Sequence, residues 1–235
     1  MRKIEGSSNY LKKQTRKYFV RALLSLTFFM LIFALTGYRV VFQTQSFGAV
    51  ELAGFSASFT CLIVYWYNQR KYQIYKGGRQ GEKNVTKTLT GNLNDDYILI
   101  NGAYLQGGGG DIDHIVLGPG GVHVLETKNW SGKIVCNGDI WQRPGKRKMG
   151  SPSLQVKRNT QKVKQLINLS PDLRGLGVMV EGVVVFTNQH AHLSVNNPTV
   201  TILKLQQLPS HIKRHAGNGL TPQQMQQILK QIQNA

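Results

Sequence analysis

The sequence predicts an α/β fold, with a mixed β-sheet flanked by helices and a transmembrane helical hairpin ahead of it. Two apolar stretches near the N-terminus are each long enough to cross a bilayer as a helix. After them the residue patterns follow the order helix, three strands, helix, strand, which is typical of a mixed sheet covered by helices. The 235 residues suffice for one well-packed domain and a smaller part.

The first apolar stretch, ALLSLTFFMLIFALTGY at residues 22–38, contains no charge, and the second is LAGFSASFTCLIVYWYNQ at 52–69. Arg39 is the only charged residue between residues 22 and 50. We therefore predict two transmembrane helices within residues 18–70. A cleaved signal peptide and a hairpin buried in a soluble protein remain alternatives, although no small-residue cleavage pattern follows the first stretch.

Basic residues lie on the outer flanks of both stretches: Arg2, Lys3, Lys12, Lys13, Arg16, Lys17 and Arg21 before the first, and Arg70, Lys71, Lys76 and Arg79 after the second. The positive-inside rule then places both ends in the cytoplasm. We expect a multi-pass protein of a bacterial-type inner membrane, in which residues 1–17 form a basic cytoplasmic N-terminus and the soluble part also faces the cytosol. Its two cysteines, Cys61 and Cys136, are not expected to form a disulfide there.

The soluble part begins with a predicted helix at 79–90, followed by a strand at 96–102. Two further strands, DIDHIVLG at 111–118 and GVHVLETK at 121–128, are joined by the sequence Gly118-Pro119-Gly120-Gly121, which predicts a tight hairpin.

The second half of the soluble part starts with a helix at 151–169, for which Ser151 is a plausible cap and Pro152 occupies the first turn. Two apolar strands follow, at 179–188 and 198–205. A last helix is predicted at 221–233, with Thr221 as its cap.

Three ionisable residues lie in the predicted hairpin. Side chains two apart share a face of a strand, so Glu126 and Lys128 point the same way. A turn near residue 119 or 120 pairs Asp113 approximately with Glu126. Two adjacent buried acids are unfavourable unless a cation neutralises them, which predicts a divalent-metal site. The alternative is an ordinary edge-strand ion pair between Glu126 and Lys128.

The charge of the soluble part predicts a polyanionic partner. Residues 68–235 hold 21 Lys and Arg against 9 Asp and Glu, a net charge of +12. The densest run is RPGKRKMG at 143–150. The candidate nucleic-acid contacts are Lys146, Arg147, Lys148, Lys157 and Arg158. A solvated surface or a contact with anionic lipid would also explain the basic run.

Several other residues are more simply explained by packing or solvation. His211 and His215 are four apart but flank Lys213 and Arg214, so a solvated basic turn is favoured over a metal site. No Cys or Cys/His cluster has zinc-finger spacing. His114 points away from Asp113 and is expected to be packed. Trp130 and Trp141 are expected in the core or at its rim.

These motifs together resemble a known family. The sequences GE at 81–82, DIDHIVLGPGGVHVLETKNWSGKI at 111–134, Trp141 and SPSLQVKRN at 151–159 resemble the NERD, or nuclease-related, domain. That family is placed among the PD-(D/E)xK nucleases, which implies a restriction-endonuclease-like fold. The resemblance covers about residues 78–190, and we place the domain at 71–190, with residues 191–235 supplying a C-terminal strand and helix that complete it.

The resemblance also implies roles for individual residues. Asp113 corresponds to the motif acid, Glu126 and Lys128 to the E-x-K, Glu82 to the helical acid and Gln155 to the glutamine of the next helix. The expected cofactor is Mg²⁺ or Mn²⁺, held by Asp113, Glu126, the carbonyl of Thr127 and Glu82, directly or through water. Lys128 would orient or deprotonate the attacking water, and Gln155 would hold that water or a phosphate oxygen.

The expected function is hydrolysis of DNA phosphodiester bonds on the cytoplasmic side by a metal-dependent nuclease anchored in the lipid bilayer, with RNA as an alternative partner. A binding module that keeps the fold without the chemistry, and a membrane-tethered scaffold, remain alternatives because fold alone does not fix function. The sequence does not indicate an oligomeric state.

Overall fold

The computed structural model of the protein describes residues 1–6, 9–43, 47–105, 110–145, 149–175, 177–214 and 220–234. The chain divides into two compact units. One consists of Met1–Asn9 together with Gln80–Ala235, and the other of Tyr10–Arg79.

Two long helices account for the smaller unit. Helix α1 spans Tyr10–Phe42, and helix α2 spans Ala49–Asn92 and continues into the larger unit. Both are long and apolar enough to cross a membrane, as the sequence predicts. Large apolar side chains such as Leu31, Phe59 and Trp66 are exposed on them. The helix predicted separately at 79–90 is the end of α2, because no helix-breaking residue interrupts the chain at the expected boundary near residue 70.

Small and polar side chains lie where α1 and α2 pack together. Ser25, Thr36 and Ser58 are buried. A Cβ atom on Gly54 would meet the side chain of Thr36, so the backbone approaches closely there. Nε of Arg39 lies 3.3 Å from Oε1 of Glu51, which links the facing ends of the two helices. Such small-residue contacts are typical of helix pairs in lipid.

The larger unit combines strands and helices. Its described strands are β1 (Arg2–Glu5), β2 (Ile98–Ala103), β3 (Ile112–Gly118), β4 (Gly121–Lys128), β5 (Gly132–Asn137), β6 (Ile140–Gln142), β7 (Val180–Phe186), β8 (Ala191–Asn196) and β9 (Thr201–Lys204). Its described helices besides the end of α2 are α3 (Pro152–Asn168), a 3₁₀-helix at Leu205–Gln207, α4 (Leu208–Arg214) and α5 (Pro222–Asn234).

Six strands form one sheet in the order β1, β2, β3, β4, β7, β9. The pairs β2–β3 and β3–β4 are antiparallel, whereas β1–β2, β4–β7 and β7–β9 are parallel. This confirms the predicted mixed α/β fold. The edge strand β1 was not predicted, because the only feature recognised in residues 1–17 was their basic charge. A second sheet, in the order β6, β5, β8, was not predicted either.

The predicted hairpin and helix caps are confirmed. Gly118 pairs with Gly121 across the turn between β3 and β4. The side chain of Ser151 accepts a hydrogen bond from the amide of Leu154 at the start of α3. At the start of α5, the amide of Gln224 donates to the hydroxyl of Thr221 over 3.2 Å.

The six-stranded sheet is covered on both faces. Val122 and Val124 of β4 join a buried cluster with Val156 of α3 and Ile228 of α5. The next residue, Leu125, joins a second cluster, which contains Val85 and Leu89 of α2 and Ile212 of α4. Alternate residues of β4 therefore point to α3 on one face and to α2 and α4 on the other.

Candidate active site

Asp113 and Glu126 lie side by side where β3 begins and β4 ends. The antiparallel register pairs His114 with Leu125, and one further step places Asp113 opposite Glu126, as the turn position predicts. The amide of Thr127 donates to Oδ2 of Asp113 over 2.6 Å. The two acids therefore share one end of the sheet, on the face that carries α3.

Lys128 and Gln155 complete this group. Nζ of Lys128 lies 2.5 Å from Oε1 of Glu126 and 3.3 Å from Oε1 of Gln155. Gln155 lies in the first turn of α3, four residues after the cap Ser151, and its amide donates to the Ser151 carbonyl over 3.0 Å. The structure thus brings together Asp113, Glu126, Lys128 and Gln155, four of the residues singled out by the sequence.

The surroundings of the two acids disfavour their charged forms. Burial raises the pKa of Asp113, while the charge of Lys128 and the hydrogen bond from Thr127 oppose that rise. Burial also raises the pKa of Glu126, and the charge of Asp113 raises it further. Glu126 is only 1% exposed. Among the described residues, its Oε2 atom is buried without a hydrogen-bond partner. Carboxylate oxygens in such a setting suit a hard divalent cation.

Thr127 and Glu82 lie at the same end of β4. In a strand the N–H and C=O of one residue point to the same side, so the carbonyl of Thr127 points toward β3, as its amide does. A Cβ atom on Gly81 would lie 3.4 Å from Cγ2 of Thr127. Glu82 follows Gly81 in α2 and is partly buried, on the helix that covers the face of the sheet opposite to Glu126.

Aromatic side chains border the group. Nζ of Lys128 lies 5.7 Å from the ring centroid of Trp130, and Cζ of Arg143 lies 5.5 Å from the same centroid. Trp141 is buried and stacks on Phe186, in agreement with its expected place in the core. Arg143 was not among the predicted site residues. Its only sequence signal is that it opens the basic run at 143–150.

The predicted nucleic-acid contacts have varied settings. Lys146, Arg147 and Lys148 lie outside the described residues. Nζ of Lys157 lies 2.7 Å from Oδ2 of Asp139, so this lysine is ion-paired. Arg158 is exposed on α3, and its charge reaches the candidate site, where it lowers the pKa of Glu126.

His114 is packed on the opposite face, as predicted. It is 1% exposed, and its Nδ1 atom lies 2.9 Å from Oδ1 of Asn101. Burial lowers the pKa of His114 to about 3, so the ring is neutral at physiological pH.

Comparison with known proteins identifies the region that carries this site. The model of the nuclease-related domain, NERD, matches residues 77–187. Neither a curated protein nor a solved structure matches the chain. The matched range contains Glu82, Asp113, Glu126, Lys128 and Gln155. Residues 77–187 are therefore a NERD, or nuclease-related, domain, which implies a nuclease-related function and a nucleic acid as the partner.

Proposed function

We propose that this protein is a divalent-metal-dependent nuclease of the PD-(D/E)xK type that hydrolyses DNA phosphodiester bonds at a membrane. The observation that supports it most directly is the meeting of Asp113, Glu126 and Lys128 at one end of β3 and β4, inside the matched range. A mixed sheet with helices on both faces agrees with a restriction-endonuclease-like architecture.

The residues present fit a metal ion. Asp113, Glu126 and the carbonyl of Thr127 would hold Mg²⁺ or Mn²⁺, and Glu82 would contribute directly or through water. A divalent ion bound there would supply positive charge to the scissile phosphate and to the attacking water. The buried Oε2 of Glu126, which has no hydrogen-bond partner in the described part of the chain, and the raised pKa values of both acids support this assignment.

Lys128 and Gln155 would act on the water and the phosphate. Glu126 and Gln155 hold the Lys128 ammonium from two sides, so its position is set before substrate binds. A preorganised cation at the reacting phosphate stabilises the negative charge that develops in the transition state. The side-chain amide of Gln155 lies next to the Lys128 ammonium, where it would orient the attacking water or a phosphate oxygen.

The apolar helices supply the proposed membrane anchor. The exposed apolar side chains of α1 and α2 would be covered by lipid, and the basic flanks would remain in the cytoplasm. The catalytic domain would then face cytoplasmic DNA. Its net charge of +12 over residues 68–235 favours binding to a polyanion in either a nuclease or a non-catalytic module.

The decisive experiment is a cleavage assay with the full-length protein in detergent micelles. Plasmid, linear and single-stranded DNA, and RNA as a comparison, would be incubated with Mg²⁺, Mn²⁺ or a chelator. We expect cleavage of DNA that needs the metal and is lost in Asp113→Asn and Glu126→Gln. The matched control is Asp172→Asn, which changes an exposed acid on the loop after α3.

Three outcomes would contradict the proposal. DNA binding without metal-dependent cleavage of any form would favour the non-catalytic binding module. Cleavage that survives in both site variants would place the activity elsewhere. Cleavage of RNA alone would exclude DNA as the substrate.

A further inference from the structure

A second group of ionisable side chains lies away from the candidate active site. His123 belongs to β4, Glu181 to β7 and His211 to α4. His123 pairs with Glu181 across the parallel strands, near the start of both. Glu126, in contrast, lies near the end of β4, and Asp113 lies opposite it in β3. His123 lies two residues before Leu125 on β4, so the two side chains share a face of the sheet. This face carries α4 and is opposite to the face of Glu126.

The three side chains converge on the carboxylate of Glu181. Nε2 of His211 lies 2.9 Å from Oε2 of Glu181, and Nδ1 of His123 lies 3.3 Å from the same oxygen. One ligand atom from each residue can be chosen so that all lie within 4.8 Å of one another. In a tetrahedral zinc site each ligand atom is about 2.1 Å from the ion, so neighbouring ligand atoms are about 3.4 Å apart. The two distances to Glu181 are therefore close to the spacing of ligand atoms in a metal centre.

Neighbouring groups orient the ligands. The hydroxyl of Thr201 donates to Oε1 of Glu181 over 2.6 Å. A hydrogen bond of this kind to a ligating carboxylate fixes its direction and strengthens metal binding. His123 is 1% exposed, whereas the side chains of Glu181 and His211 are 21% and 14% exposed. The group is thus anchored on its buried side and open to an entering ion on the other.

We propose that His123, Glu181 and His211 form a second metal site, which binds a transition-metal ion such as Zn²⁺. Two imidazoles with one carboxylate are a donor set for Zn²⁺ and related ions, whereas Mg²⁺ prefers oxygen ligands alone. The ion would join β4, β7 and α4, three elements that are far apart in sequence. It would stabilise the fold on the face opposite to the candidate active site, and a water molecule would fill the fourth position.

Cobalt binding to the full-length protein in detergent, after metal removal with a chelator, tests this site. Co²⁺ replaces Zn²⁺ in such sites, and its visible absorption reports coordination geometry. We expect one Co²⁺ to give a tetrahedral spectrum, Zn²⁺ to displace it, and Mg²⁺ in excess to leave it in place. Removing a ligand in His211→Gln or Glu181→Gln should weaken binding by about a hundredfold or more, and Thr201→Val by about tenfold.

Matched variants separate this site from other metal-binding groups. His192→Gln removes an exposed histidine of β8 and should leave Co²⁺ affinity unchanged. The double variant Asp113→Asn/Glu126→Gln should also retain the spectrum, because it changes only the acids on the other face. Since His123 is buried, the test relies on the more exposed His211 and Glu181, whose variants are checked for folding by circular dichroism.

The proposal is overturned if the wild-type protein gives no tetrahedral Co²⁺ spectrum. It is also overturned if folded His211→Gln and Glu181→Gln bind Co²⁺ as tightly as the wild type. In either case the three side chains form a hydrogen-bonded network only. Loss of the spectrum in the Asp113→Asn/Glu126→Gln variant alone would assign the cobalt to the candidate active site instead.

Discussion

At the scale of single residues, the contacts of Lys128 help to distinguish a catalytic role from simple DNA binding. Its ammonium contacts Glu126 and Gln155 and lies near the ring of Trp130, so three side chains restrict its position. Such restriction is useful to a catalyst because no reorganisation is needed when charge develops on the substrate. For simple attraction to a polyanion, a flexible exposed lysine would serve as well.

Lys128→Ala should therefore lower the cleavage rate at saturating DNA by about a hundredfold or more, which is the usual effect of removing one transition-state stabiliser. DNA affinity measured in Ca²⁺ should change little, since one cation contributes about one unit to the salt-dependence slope. Lys87→Ala, at an exposed position of α2, is the control. An effect of Lys128→Ala on affinity alone would contradict a catalytic role.

The raised pKa values of Asp113 and Glu126 predict a pH-dependent stability of the metal-free protein. Folding favours the protonated form of each acid, so their contribution to stability is present at low pH and is lost as the pH rises through the raised pKa values. Each pKa unit corresponds to about 1.4 kcal/mol. At neutral pH we expect Asp113→Asn to raise the melting temperature of the metal-free protein by several degrees.

Mg²⁺ should reverse this order, because it stabilises the wild type by binding and has less effect on Asp113→Asn. Melting curves at acidic and neutral pH, with and without Mg²⁺, measure both effects. Equal melting temperatures of the two proteins under all four conditions would show that the acids are not coupled to a metal.

At the scale of elements, the contact between α3 and β7 decides where Gln155 lies. A Cβ atom on Gly182 would be 2.5 Å from Oγ1 of Thr160 and 3.2 Å from Cγ2 of Val156. Glycine is therefore required for this close approach. Because Gln155 precedes Val156 on the same helix, the seating of α3 on the sheet also sets the distance from Gln155 to Lys128.

Gly182→Ala should force α3 outward and destabilise the fold by about 1–3 kcal/mol, the usual cost of overpacking a core. Thr160→Ala removes the clashing hydroxyl, so the double variant should recover part of the lost stability. Thermal unfolding of the single and double variants measures this coupling. A melting temperature unchanged by Gly182→Ala would mean that α3 is not closely seated.

The elements with local sequence patterns were predictable. The strand β4 has its predicted bounds, and the caps of α3 and α5 use the expected Ser151 and Thr221. The meeting of Asp113 with Glu126 followed from the turn position alone. These features depend on residues close together in the chain, where periodicity and turn chemistry are informative.

Features that depend on distant pairing were not predictable. The group of His123, Glu181 and His211 comes from three separate elements, so no spacing within the sequence marks it. Strand β1 pairs with β2 across more than ninety residues, and its four residues have no strong strand pattern. Likewise, α2 continues past residue 70 without interruption. The pattern of apolar residues changes there, and this pattern alone does not show whether the helix ends or continues.

At the scale of the whole molecule, the positive-inside rule predicts the topology of the chain. A reporter fused to the C-terminus should behave as cytoplasmic, and one inserted between α1 and α2 should behave as external. Paired phosphatase and fluorescent-protein fusions at both positions measure this. Digestion of the C-terminal domain by protease added outside intact cells would contradict the predicted orientation.

Strand β1 also restricts the topology, independently of charge. Residues before α1 and residues after the apolar part of α2 supply neighbouring strands of one sheet, so the hairpin is an insertion within a discontinuous domain. If α1 and α2 cross a bilayer, as we propose, the chain must therefore return to the compartment that it left, and the number of crossings between β1 and β2 must be even. A chain cut off ahead of residue 80 would lack β1, and the unpaired main-chain groups of β2 would form an exposed sheet edge prone to self-association.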